Sequence, residues 1–169
     1  TRFIASIGDF IYNYDDETIY VNQYMDSTAK LGELTLVQKT DYPYDGRIEF
    51  KLTGGDRRIA LRIPGWCRVW SVGKNGASCG AVVERGYAYI DANDGDTILL
   101  ELRISARCVK SNPRVLTNRG MSAITWGPFV MCLEGVDNGG SLTGVRLTGK
   151  SFTLGRDETL GLPCLYCQA

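Results

Sequence analysis

Apolar residues recur along this chain with two different periods. Near the start, Phe3, Ile4, Ile7, Phe10, Ile11 and Tyr14 fall on one side of a helical wheel, with Ser6, Asp9 and Asn13 elsewhere. That spacing predicts a helix over residues 1–14. After Asp15-Asp16 the period drops to two. Residues 18–24 are rich in β-branched and aromatic side chains. Ile48, Phe50 and Leu52 alternate with Arg47, Glu49 and Lys51. Leu34, Leu36 and Gln38 alternate with Thr35, Val37 and Lys39, and Ile59, Leu61 and Ile63 stand against Arg58 and Arg62. Ile98, Leu100, Leu102 and Ile104 stand against Glu101 and Arg103. Such alternation marks antiparallel strands with one face buried and one face wet.

Turn residues separate these runs. Asp45-Gly46, Gly54-Gly55, Pro64-Gly65, Asn75-Gly76, Asp94-Gly95 and Asn138-Gly139-Gly140 all suit tight connections. No long helical pattern lies between the strands, so a parallel βαβ sheet is not expected. The predicted class is all-β, an antiparallel β-sandwich of jelly-roll type, with a short N-terminal helix and a second small β unit. Asn112-Pro113 interrupts strand pairing and places a boundary near residue 110. The expected divisions are a helix over 1–14, a sandwich over 15–110 and a small β domain over 111–169. In the last, residues 121–126, 129–134 and 145–147 read as strands. The orphan apolar stripe of the helix and the lack of an initiator Met point to an internal cut in a longer protein.

Charge narrows the function classes. Lys plus Arg is 19 and Asp plus Glu is 19. Binding to a nucleic-acid or membrane surface calls for a concentrated positive field, so neither partner is expected. No apolar run reaches the length of a membrane span. There is no His among the 169 residues, which removes imidazole bases and imidazole metal ligands. The six Cys are too sparse for a disulfide scaffold and read as reduced thiols. With no signal-peptide pattern, they favour the bacterial cytoplasm.

Residues that could carry chemistry have simpler explanations. Asp15, Asp16 and Glu17 sit at a turn, and Asp41 and Asp45 flank the Tyr42-Pro43-Tyr44 turn. Glu49 and Glu101 face outward beside basic neighbours. Cys164-x-x-Cys167 lacks the second ligand pair that a structural zinc needs. Aromatic rings remain, since a flat ring matches the apolar face of a sugar. Trp66 and Trp70, four apart, would share one face of a regular strand, and Tyr42 and Tyr44 line a turn. These four are the candidate stacking residues, against the simpler role of core packing. No catalytic, cofactor or metal site is expected in the chain.

Five strings occur in one order: RFIASIGDFIY, DYPYDGRIEF, LRIPGWC at 61–67, NPRV, and GPFVMCLEGVDN at 127–138. In this the chain resembles glycoside hydrolase family 127, the β-L-arabinofuranosidase-like enzymes. The resemblance covers most of the chain. It implies a catalytic (α/α)₆ barrel upstream, followed by β-sandwich domains. It implies a zinc in that barrel, held by Cys and Glu, with a zinc-bound Cys as nucleophile of a retaining mechanism. Zinc makes such chemistry workable by holding a thiolate at neutral pH. The matching Cys and Glu have no counterpart here, and Cys67 and Cys132 match strand positions. The family's C-terminal region commonly runs longer and ends in an aromatic-rich segment where this chain has LPCLYCQA.

The expected function is therefore a non-catalytic β-sandwich portion of a glycoside hydrolase whose parent releases terminal L-arabinofuranose. The expected partners are the upstream barrel and a carbohydrate substrate. The alternatives are a carbohydrate-binding module and a purely structural accessory domain.

Overall fold

The computed structural model describes residues 2–142, 144–149, 151–159 and 161–167. By internal contact the chain divides into two compact units, Thr1–Ile104 and Ser105–Ala169.

The first unit opens with a single helical turn, α1 (Arg2–Ala5), and a 3-10 turn over Ile7–Phe10. Strand β1 (Tyr12–Tyr14) follows at once and pairs with β2 (Thr18–Val21), Asn13 opposite Tyr20. The helix predicted over residues 1–14 thus ends early. From Tyr12 onward β2 offers ladder partners along one edge of the segment, and Gly8 weakens helix propagation before that point. Of the apolar stripe, Ile11 is buried and Ile7 half-buried, while Ile4, Phe10 and Tyr14 stay exposed.

The remaining strands of this unit are β3 (Ser27–Leu31), β4 (Leu34–Thr40), β5 (Arg47–Thr53) and β6 (Arg57–Arg62). They are followed by β7 (Trp70–Lys74), β8 (Ala77–Ser78), β9 (Val82–Glu84), β10 (Tyr87–Ala92) and β11 (Thr97–Leu102). One five-stranded sheet runs β1-β2-β6-β10-β9, and a six-stranded sheet runs β3-β4-β5-β11-β7-β8. All pairs are antiparallel except β2 with β6. That parallel pair arises because β3 to β5 lie in the other sheet between them.

The two sheets share one core. Ile19, Val21, Ile59, Leu61 and Ile90 come from the first, and Leu36, Ile48, Phe50, Leu52, Ile98 and Leu100 from the second. In β5 every second residue is buried, as the alternation of residues 47–52 requires. Phe50 lies opposite Ile98 and Ile48 opposite Leu100, so the cross-strand pairs are themselves core pairs. Burial of these side chains is the main force that holds the sheets face to face.

Two two-residue hairpin turns take left-handed backbone at both residues. Asn75 (φ 52°) and Gly76 (φ 80°) join β7 to β8, and Arg85 (φ 49°) and Gly86 (φ 84°) join β9 to β10. Such pairs suit the twist of a two-residue hairpin. Gly46 serves a different need. A Cβ there would run into the backbone carbonyl of Leu102, whose own N–H donates to the Gly46 carbonyl at 2.8 Å.

The second unit holds β12 (Ala106–Lys110), β13 (Ser122–Trp126) and β14 (Phe129–Met131) in one sheet, and a hairpin of β15 (Thr153–Arg156) and β16 (Pro163–Tyr166). Residues 145–147, predicted as a strand, have no ladder partner among the described residues and form none. Trp126 is buried and stacks on Phe129 with centroids 5.8 Å apart. Leu116, Met121, Val130 and Val136 are exposed.

Candidate functional site

The four aromatic candidates do not form one platform. The strand that was to carry Trp66 and Trp70 on one face is not continuous. β6 ends at Arg62, and Pro64-Gly65 begins a turn in which the Cys67 N–H donates to the Pro64 carbonyl at 2.9 Å. Pro64 brings no N–H for a ladder, so the strand breaks there. Trp66 sits in that turn, and Trp70 starts β7 in the opposite sheet.

Three of the rings are instead placed by local packing. Tyr42, Trp66 and Trp70 are half-buried and pack against the edge of the core. Tyr42 follows β4, joins Pro43 through a cis peptide and meets Tyr24 edge-on at 5.7 Å. The Trp66 side chain hydrogen-bonds to Tyr42. Burial nonetheless raises the Tyr42 phenol above its ordinary range, against the opposing pull of that bond. Tyr44 projects from the same turn and is 45% exposed. The structure thus brings Tyr42 and Trp66 together, keeps Tyr44 partly exposed and places Trp70 apart.

Trp70 lines an open groove of about 330 Å³ together with Asp45, Arg47, Ser71, Glu101 and Arg103. Register explains the grouping, since Leu102 lies opposite Trp70 and Glu101 opposite both Ser71 and Arg47. The Ser71 hydroxyl donates to Glu101 at 3.0 Å, and Arg47 lies 3.7 Å from Glu49. The partner of Arg47 thus lies outside the lining, while within the groove Glu101 accepts from a hydroxyl. The turn carboxylates behave likewise. Asp15 Oδ1 accepts the N–H of Glu17 at 2.9 Å and of Thr18 at 2.7 Å, which holds its carboxyl below the usual carboxylate range.

The Cys67 thiol is not an activated nucleophile. Cys67 is buried, and its thiol donates to the Val69 carbonyl at 3.1 Å. Burial raises that thiol above its ordinary value, so it stays protonated and weakly nucleophilic at neutral pH. Among the described residues, no three Cys, Asp or Glu side chains come close enough to hold a metal ion. A zinc thus has no fitting ligand set among them.

A second groove, unmarked in the sequence by any local motif, opens between β1, β2 and β10. It is lined by Asn13, Tyr14, Asp15, Tyr20, Asn22 and Tyr87. Tyr87 lies far along the chain from Tyr14 and Tyr20, and only the fold joins them.

Comparison with known proteins agrees with this domain picture. The family model for the beta-L-arabinofuranosidase GH127 middle domain matches residues 18–104. The model for the glycoside hydrolase family 127 C-terminal domain matches residues 106–159. A non-reducing end β-L-arabinofuranosidase of Bifidobacterium longum subsp. longum is 37% identical over 97% of this chain, which spans 28% of that relative's length. The crystal structure of a GH127 β-L-arabinofuranosidase from Geobacillus stearothermophilus T6 superposes with a TM-score of 0.86 at 32% identity, over 97% of this chain and 28% of that one. A second GH127 β-arabinofuranosidase structure gives a TM-score of 0.71 at 31% identity, over 76% of this chain and 24% of its own. The chain belongs to glycoside hydrolase family 127, and what it supplies is the middle and C-terminal domains, the non-catalytic β-sandwich portion of such an enzyme.

Proposed function

We propose that the protein carrying these domains is a glycosidase that releases terminal L-arabinofuranose. Its chemistry lies in a helical catalytic barrel upstream of this chain. The observation that supports this most is the kinship with a non-reducing end β-L-arabinofuranosidase, of which this chain matches only a minor part. In this reading the zinc and its thiolate belong to that barrel. The sandwich of Thr1–Ile104 is a rigid support, its rigidity supplied by the shared core of its two sheets.

The test is a substrate panel on the full-length protein with zinc and a thiol present. Hydrolysis of p-nitrophenyl β-L-arabinofuranoside, well above that of the α-anomer and of p-nitrophenyl pyranosides, is expected. Equal or greater turnover of a pyranoside would overturn the sugar assignment.

A further inference from the structure

We propose that the groove between β1, β2 and β10 is a binding site for a neutral polyhydroxylated ring, a furanose or pyranose unit held by tyrosine stacking and hydroxyl capture. The choice of arabinofuranoside as first probe rests on the function proposed above.

The groove has about 330 Å³, room for a sugar ring, and every side chain lining it is a tyrosine, an asparagine or an aspartate. Its floor is rigid. Tyr20 and Tyr89 both lie opposite Ala60 of β6, whose small side chain lets the rings close over it. Tyr20 meets Tyr87 edge-on at 5.7 Å and Tyr89 at 6.4 Å. The Tyr20 and Tyr87 rings lie on the outer face of the sheet together with Asn13, which is opposite Tyr20.

The polar groups are set in definite states. The Tyr87 hydroxyl donates to Asn22 Oδ1 at 2.6 Å, which leaves the Asn22 amide nitrogen with its two donors and no partner among the described residues. Asp15 Oδ1 is engaged by two backbone N–H groups. Its Oδ2 has only a long contact, 3.4 Å, from the Tyr20 hydroxyl. An amide donor and a carboxylate acceptor therefore stand ready beside aromatic rings. Each sugar hydroxyl is both donor and acceptor and satisfies both.

The same lining argues against other ligands. It holds one carboxylate and no Lys or Arg, so an anion is repelled. One carboxylate is too few for a metal ion. No aliphatic side chain lines it, so it lacks the apolar anchor that a protein partner needs. The Trp70 groove is a weaker candidate, because it is lined by four charged side chains, Asp45, Arg47, Glu101 and Arg103, whose desolvation a neutral sugar repays poorly.

The test is a titration of the chain followed by the side-chain amide resonances of Asn13 and Asn22. The probes are methyl β-L-arabinofuranoside, methyl β-D-xylopyranoside and inorganic phosphate. A saturable shift with the furanoside and none with phosphate is expected. Asn22→Ala, read at Asn13, removes the free amide donor and should weaken binding about three- to tenfold. Asn22 is outside the core, so a melting temperature near that of the parent chain verifies that the variant is folded. Trp70→Ala, in the other groove, should leave the affinity unchanged. Saturation with the xyloside alone keeps the groove as a sugar site and separates it from the arabinofuranose reading. No saturable shift with either sugar overturns the proposal, whatever the full-length protein hydrolyses. A shift that survives Asn22→Ala at full strength overturns it too.

Discussion

The Asn75 side-chain amide donates to the Asp96 carboxylate at 2.6 Å and so ties the β7–β8 turn to the turn that precedes β11. Asp96 also accepts the Asn93 N–H at 2.8 Å and lies 3.3 Å from Lys74 Nζ. These bonds hold its carboxyl below the ordinary range, the backbone N–H foremost. A group with a depressed folded pKa stabilises the fold fully above its unfolded value, about 3.9, and that contribution is lost as pH falls through the folded value. Asp96→Asn should therefore lower the melting temperature at neutral pH. The gap to the parent chain should close as pH falls below about 4. Thermal unfolding followed by circular dichroism across that range checks it, and parallel curves at all pH values would contradict it.

Phe50 has no exposed surface and sits where both sheets meet. Phe50→Ala leaves a cavity that rigid sheets fill poorly, and should cost about 3–5 kcal/mol in urea unfolding. Val130→Ala, on an exposed position of the second unit, should change stability by less than about 0.5 kcal/mol.

Gly46 is held by close approach to a backbone, which cannot rotate away as a side chain can. Gly46→Ala should push β5 from β11 and cost about 1–3 kcal/mol. Gly8→Ala has open space at its Cβ and should stay within about 0.5 kcal/mol. The two melting temperatures decide the matter.

Thiol reactivity should follow burial. Cys108, Cys132 and Cys167 are exposed, whereas Cys67 is buried with a raised thiol pKa. At pH 7 a thiol reagent should label the exposed three in the native chain and reach Cys67 only on unfolding. Mass spectrometry of the labelled peptides reports this directly.

Where one face of a strand is buried, the sequence displayed it plainly. Alternation in residues 47–52 appears as alternate burial in β5, because a period of two assigns each side chain to one face. β9 was hidden for the same reason, since all of Val82, Val83 and Glu84 are exposed and no pattern results. The N-terminal stripe misled because spacing describes a helix only if the backbone stays unpaired, and β1 found a partner in β2. The parallel pairing of β2 with β6 depends on the path through the other sheet, which no local pattern encodes. The Trp66–Trp70 platform failed at Pro64, a break that was visible in the sequence as Pro64-Gly65. The tyrosine groove lay beyond sequence reading, because Tyr20 of β2 and Tyr87 of β10 meet only across β6.

The central claim is that these domains carry no chemistry of their own. The direct measurement is release of p-nitrophenol from the β-L-arabinofuranoside by this chain and by the full-length protein at equal concentration, with zinc and thiol in both. Turnover by the full-length protein and none by the chain is the predicted result. Turnover by the chain alone would contradict the account and return attention to its own thiols and carboxylates.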